Sequence, residues 1–496
     1  MRFDSNERSR GTRRSQWRPW ARPATFAIAV LVAVAASAPA QIAPRPAAAA
    51  DACVVAVVDS GASPLAESLR DLPEVDYWIE ADRELLLCAR AGSASSLDLA
   101  TRVERAGATV AARLPDVRPE RLRFWRGGRR LDAQTLGRVL AAGGRWAVVE
   151  LAPWSDELAP PAAPVAGPGP GRIAARLLPF VPDLVLARRS PARDGESGES
   201  LGDPQIAALL GELDAARWYA AVSTLAGWNR WTRGSQILSA RDWIATTFEA
   251  LDGLSVVTTS FPVGANTGWN VIGTLRGTRL PDDWYVVGAH YDSTSENPSS
   301  LAPGAEDNAS GCAGVLELAR LFSAHPPDAT MIFVCFSGEE QGLYGSSDYV
   351  DDLLAAGDLP KVKGALILDM IGFTADAELD CLLETEPFGA TWMGAFSQAA
   401  AQFTTLSIVQ SLSAWGSDHE PFLDAGRPAM LAIENDWNVY PHYHKTTDLP
   451  AHLSQPMALQ ILRMGAAGLL RTVGSNVLFT DGYESGGRQR WSGATP

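Results

Sequence analysis

The chain has 496 residues, a length for two to four domains, and 46% of them are hydrophobic, ample for buried cores. Its formal charge of −15, from 57 acidic against 42 basic side chains, argues against nucleic-acid binding, which needs a Lys/Arg surplus facing phosphates. Five cysteines are few for a fold built on disulfides.

Residues 1–23 carry seven Arg against two acids, and 24–38 (ATFAIAVLVAVAASA) form a run without any charge. Small residues follow, with Ala38-Pro39-Ala40 and Ala48-Ala49-Ala50 as cleavage sites of the A-x-A kind. The three regions together predict a secretory signal over 1–40. A membrane anchor is the competing reading, but a spanning helix needs about 20 apolar residues. Thr12-Arg13-Arg14-Ser15 resembles a twin-arginine export signal, although the Gln-Trp after it fits poorly. Cleavage after Ala40 removes a net +5 and leaves a mature chain near −20, secreted or periplasmic, without stable membrane association.

Residues 51–153 read as a small α+β domain. Strands are predicted at 52–58, 84–90 and 145–152, and helices around 95–107 and 132–142. Cys53 and Cys88 each lie in a short apolar run, so a bridge between them suits an exported chain; Cys312, Cys335 and Cys381 read as small buried hydrophobes. Six prolines between 153 and 170, and the polar stretch ARDGESGESLGD at 192–203, predict a Pro/Gly-rich linker over 154–202. Asp203-Pro204 then opens a helix with an N-cap and a first-turn proline.

From 203 to 474 helical and strand patterns alternate. Helices are predicted at 204–226, 236–250, 309–324, 343–356, 390–403 and 455–473, and strands at 255–262, 269–276, 283–289, 329–336, 363–369 and 429–434. Such alternation predicts an α/β domain: a mixed, mostly parallel sheet flanked by helices, with its early strands as an antiparallel edge. The Gly-rich polar end, 475–496, reads as a tail outside the core.

Five pieces of this region carry chemistry: VVGAHYDS (286–293), GAEDNASG (304–311), FSGEEQGLYGS (336–346), LILDMIG (366–372) and YPHYHKTTD (440–448). Each is read as placing a His, Asp or Glu at the end of an apolar strand-like run or in the loop just after one, where open α/β sheets bind ligands. His290 and Asp292 are two apart on an extended segment, so they face one way, and Asp292 could take the second ring N–H of a metal-bound His290. Asp307 precedes an apolar helix and would serve equally as its N-cap. Glu339 and Glu340 are adjacent acids at a strand end, costly unless a cation or proton offsets them. One of the two can hold a metal while the other acts as base on water. Asp369 closes the apolar run GALILD, where a carboxylate needs compensation. His444 has Asp448 four residues on as an orienting partner, and His442 is the rival ligand. The other three histidines, His325, His419 and His452, lie outside these pieces. Two His with three carboxylates suit two Zn2+ ions better than Mg or Ca. A bridging carboxylate would hold such ions about 3.5–4 Å apart.

With these residues in view, 204–474 resembles the co-catalytic zinc aminopeptidases of peptidase family M28, particularly the secreted bacterial leucyl-type enzymes. Five ordered motifs carry the resemblance, and WNRWTRGSQILSARDWI (228–244) is similar to that family's opening helical segment. The resemblance implies a zinc-exopeptidase-like fold in which Asp307 bridges two zinc ions. His290 and Asp369 would complete one site, and Glu340 and His444 the other. It implies Glu339 as general base, Asp292 as the partner orienting His290, a cis peptide at Asp307-Asn308, and peptide substrates with a free N-terminus. The loop SLSAWGSDH (411–419) departs from some relatives, which carry a Cys pair and a Tyr there; only Trp415 stands here. Met370, Trp415, Tyr440 and Tyr443 are apolar-pocket candidates that would serve equally as core. The rival readings are a glutaminyl-cyclase-like acyltransferase, a carboxypeptidase (which needs an Arg such as Arg427 near the site) and a non-catalytic homologue that would have lost ligands. None of the five ligands is lost.

Overall fold

In the computed structural model the described residues are 50–58, 63–126, 134, 136–152, 176–190 and 203–473. The expected signal over 1–40 and tail over 475–496 therefore lie outside them, as does most of the expected linker. No helix among the described residues is long and apolar enough to cross a membrane.

The N-terminal strands are β1 (Asp51–Val57), β2 (Tyr77–Asp82), β3 (Glu84–Ala89), β4 (Thr109–Val117), β5 (Leu122–Arg126), β6 (Gly137–Gly143), β7 (Trp146–Leu151), β8 (Arg176–Pro179) and β9 (Leu184–Arg189). The later strands are β10 (Leu254–Val263), β11 (Asn266–Leu275), β12 (Leu280–His290), β13 (Ala329–Phe336), β14 (Val362–Leu368), β15 (Asp380–Glu384), β16 (Ser407–Ser411) and β17 (Ala429–Glu434). Thirteen of them form one sheet in the order β10-β11-β13-β12-β14-β17-β15-β16-β9-β2-β3-β1-β4, and β6-β7-β5-β8 form a second. The strands β13, β12, β14 and β17 are mutually parallel, and β10 with β11 makes the expected antiparallel edge.

Alternate residues of the parallel strands enter different cores, as period-2 geometry requires. Val287, Phe333, Leu366 and Ala432 face helices Ala215–Ala226, Gly311–Ala324 and Gln455–Val473. Val286, Val334, Ile367 and Ile433 face helix Tyr344–Ala356 and the short helix Glu420–Asp424. The sheet is thus covered on both sides, and its buried runs read as continuous hydrophobic sequence.

Several expectations need correction. The helix expected around 132–142 is a strand over Gly137–Gly143, paired antiparallel with β7. A Cβ on Gly137 would lie 2.1 Å from the Glu150 carbonyl oxygen, and one on Gly143 would lie 2.4 Å from the Ala81 backbone. Those close strand approaches explain both glycines better than any helix does. The stretch expected as linker contains β8 and β9, and β9 joins the two halves of the large sheet, antiparallel to β16 and parallel to β2. The helix expected at 204–226 is two, Pro204–Leu210 and Ala215–Ala226, because Asp214 caps a fresh start by accepting the amides of Ala216 and Arg217. Cys53 and Cys88 stand opposite each other on β1 and β3 and form a disulfide. Cys312, Cys335 and Cys381 are buried and free; the Sγ atoms of the first two lie 2.8 Å apart.

Candidate metal centre

The parallel arrangement of β13, β12, β14 and β17 brings their carboxyl ends to one crevice. His290 is the last residue of β12, Glu339 and Glu340 follow β13, Asp369 follows β14, and His444 lies in the loop beyond β17. Asp307 comes from the irregular turn ahead of helix Gly311–Ala324, with a cis peptide at Asp307-Asn308. That turn is tightly built. Gly304 has a φ of +49°, and a Cβ there would lie 2.3 Å from the Asp307 carbonyl oxygen. The Asn308 side chain ties the turn to the end of β14, donating to Leu368 O at 2.9 Å and accepting the Met370 amide at 3.2 Å.

Asp307 sits between two groups. Its Oδ1 is 3.4 Å from His290 Nε2, which is also 3.4 Å from Asp369 Oδ1. Its Oδ2 is 3.1 Å from His444 Nε2, which is 3.2 Å from Glu340 Oε2. One carboxylate therefore faces an imidazole and an acid on each side. Ligand atoms of His290, Glu339 and Asp369 lie within 4.8 Å of one another, as do those of His290, Asp307 and Glu340. Glu339 shares a group with His290 and Asp369, whereas Glu340 shares one with His290 and Asp307 and also lies 3.2 Å from His444 Nε2.

Electrostatics follow from this crowding. Burial opposes charge on the His290 imidazole, but Glu339 and Asp369 outweigh it and hold the ring well above its usual value. Burial pushes Glu339 well above the carboxylate range, with Glu340 and Asp369 adding to it against His290. Burial likewise pushes Glu340 up to about 7. Burial also opposes charge on Asp307, yet the hydrogen bonds from His290 and His444 outweigh it and hold Asp307 low. Asp369 Oδ1 and Glu340 Oε1 are buried without a hydrogen-bond partner. Among the described residues no Lys or Arg pairs with any of these acids.

The supporting acids Asp292 and Asp448 make further contacts around the centre. The Asp292 carboxylate, expected to orient His290, lies 3.7 Å from its Nδ1, and the Asp292 backbone oxygen is nearer at 3.1 Å. The carboxylate also accepts the amides of Glu339 (3.2 Å) and Glu340 (3.3 Å) and the Thr232 hydroxyl (2.8 Å), which fixes the turn carrying both glutamates. Asp448 was a possible partner for His444; it accepts the Glu306 and Asp307 amides at 2.9 and 3.1 Å and the Tyr440 hydroxyl at 2.6 Å. It holds the Asp307 turn through those amides.

The remaining histidines are accounted for elsewhere. His442 Nδ1 is 2.8 Å from Thr447 Oγ1, and its ring stacks on His452 at 3.8 Å. His325 pairs with Glu212 at 2.9 Å, and His419 is buried near Glu384 at 3.6 Å. Met370 and Tyr440 are core residues, while Tyr443 stacks on His444 at 3.9 Å. Sequence reasoning missed Ser417, whose hydroxyl donates to Asp369 Oδ2 at 2.7 Å. Its local signal was no more than a Ser ahead of Asp418-His419, in a loop that also carries Ser413.

A sequence model of peptidase family M28 matches residues 270–467, a span that holds every residue of this centre. A probable zinc metalloprotease of Leptosphaeria maculans is 31% identical over 297 residues, covering 49% of this chain and 68% of its own length. The chain belongs to peptidase family M28. A probable zinc metalloprotease of Pyricularia oryzae is 40% identical over 197 residues (35% of this chain, 38% of its own). The aminopeptidase YwaD of Bacillus subtilis is 35% identical over 197 residues (38% of this chain, 41% of its own). The chain thus spans well under half the length of these last two relatives.

Proposed function

We propose that this chain is an exported aminopeptidase that holds two zinc ions and hydrolyses the N-terminal peptide bond of peptides or proteins. The observation that carries the reading is the position of Asp307, shared between His290 with Asp369 on one side and His444 with Glu340 on the other. The donors fit zinc: imidazole with carboxylate is its usual mixture. The unpartnered oxygens of Asp369 and Glu340 are lone pairs left for a cation. A disulfide between Cys53 and Cys88 suits an exported chain. The name of the Bacillus subtilis relative supports the aminopeptidase assignment.

Bound there, zinc supplies Lewis-acid polarisation of the scissile carbonyl and lowers the pKa of the attacking water. Asp307, His290, Asp369, Glu340 and His444 would hold the ions. Glu339, buried beside them, takes a proton as the water oxygen bonds to the carbonyl carbon. It returns that proton to the amine nitrogen as the C–N bond breaks. Asp292 keeps Glu339 and Glu340 in register through their amides, and Ser417 orients Asp369.

The test is a panel of aminoacyl nitroanilides, N-acetylated peptides and C-terminal peptide substrates, with zinc measured on the same preparation. Cleavage confined to free N-termini, lost to a chelator and restored by zinc, is expected. Cleavage of blocked peptides, release of C-terminal residues, or cyclisation of N-terminal Gln without hydrolysis would overturn the assignment.

A further inference from the structure

The loop between β16 and helix Glu420–Asp424 delivers Ser417 to Asp369, and the N-terminal strands grip that loop. Four successive carbonyls accept from them. Trp146 Nε1 donates to Ser413 O at 3.4 Å, and Arg126 donates to Ala414 O. Arg145 then donates Nη1 to Trp415 O at 2.6 Å and Nη2 to Gly416 O at 2.9 Å. Arg145 occupies the β6–β7 turn and is only 7% exposed. Its guanidinium lies 4.6 Å from the Trp415 ring centroid and 5.5 Å from that of Trp437. From the opposite side the buried Glu384 carboxylate, 3.8 Å from Arg145, accepts the Trp415 amide at 2.6 Å. Both polar faces of residue 415 are therefore fixed, one by each half of the molecule. Gly416, at φ +66°, turns the chain so that Ser417 follows directly.

Buried loop carbonyls need partners, and this loop finds them on the N-terminal strands. A planar guanidinium can take two neighbouring carbonyls while stacking on indole faces; an ammonium offers a point charge without that fork. We infer that Arg145 is a positioning residue for the metal centre. By holding the carbonyls of Trp415 and Gly416 it sets the loop from which Ser417 reaches Asp369, so the N-terminal module is a working part of the active unit. The inference rests on the aminopeptidase reading for its kinetic consequence but not for its structural one.

The experiment uses the full chain with Arg145→Met, Arg145→Lys and, as a control, Arg138→Met, whose side chain pairs with Glu150 on the exposed side of the same small sheet. Two readouts are taken: hydrogen exchange of the peptide covering 411–420, and kcat and KM on a free-amine aminoacyl nitroanilide. Arg145→Met is expected to raise exchange in 411–420 while the rest of the fold stays protected, and to lower kcat about ten-fold with a smaller change in KM. Arg145→Lys should fall between it and the parent, and Arg138→Met should match the parent. Parent-like exchange in 411–420 for Arg145→Met would overturn the inference. If that variant exchanges throughout, the Lys variant decides: a rise confined to 411–420 supports the inference, and a uniform rise or none overturns it. A parent chain without peptidase activity would fail the aminopeptidase reading alone, since the exchange result stands by itself.

Discussion

Two groups of acids in and beside the large sheet meet different partners. Where β2, β9 and β15 approach one another, guanidinium groups answer them. Arg188 forks onto Glu80 with two bonds of 2.8 Å, and Arg70 reaches the same carboxylate. Arg189 bonds Asp82 at 2.9 and 3.0 Å, Glu378 at 2.9 Å and Asp380 at 2.8 Å. At the carboxyl ends of β12, β13 and β14 the acids Asp307, Glu339, Glu340 and Asp369 face two imidazoles and one another. The first region is neutralised by the chain itself. The second keeps a surplus of negative charge and unpartnered oxygens, which is the condition of a cation site rather than of a structural ion pair.

Substitutions can sharpen this contrast. The largest effect is expected from Glu339→Gln, which should lower turnover roughly 10²–10⁴-fold, the usual cost of losing a general base, with zinc content unchanged. Zinc loss in Glu339→Gln together with zinc retention in Glu340→Gln would reverse the two roles. Next, Arg189→Met leaves Asp380 and Asp82 without their guanidinium and should destabilise the fold by about 3–5 kcal/mol in denaturant unfolding, again with zinc unchanged in the folded protein. Parent-like stability would mean that the seam is not held by these pairs. The smallest effect belongs to His442→Ala. Its ring is engaged with Thr447 and His452, so zinc should stay full and KM should move only a few-fold, while His444→Ala should lose metal and activity together. Full zinc in His444→Ala would exchange the two assignments.

The same contrast explains what was legible. The centre could be read because each of His290, Glu339 and Asp369 closes or follows a long apolar strand, a local pattern of a buried run ending in an acid or imidazole. The helices Ala390–Phe403 and Gln455–Val473 were equally plain from their periodicity. The strand β4, TVAARLPDV, was not, because most of its residues are exposed and it carries little hydrophobic alternation. In β9, LVLARR, the arginines look like linker until Glu80 and Asp82, more than a hundred residues earlier, are placed beside them. The segment Gly137–Gly143 read as a helix because its Leu and Ala spacing fits one; its pairing with β7, which brings other backbone close to its two glycines, is a long-range contact that spacing does not record. Ser417 and Arg145 act through contacts 48 and 270 residues distant in sequence, which no local pattern records.

The most direct test is the zinc content of the purified, folded chain, measured by elemental analysis after removal of loosely bound metal. Two zinc per chain are expected, with Asp307→Asn weakening both, since its carboxylate faces both imidazoles. A single tight zinc in the parent with no recoverable second site, or an Asp307→Asn variant that keeps two, would contradict a centre built around a shared Asp307.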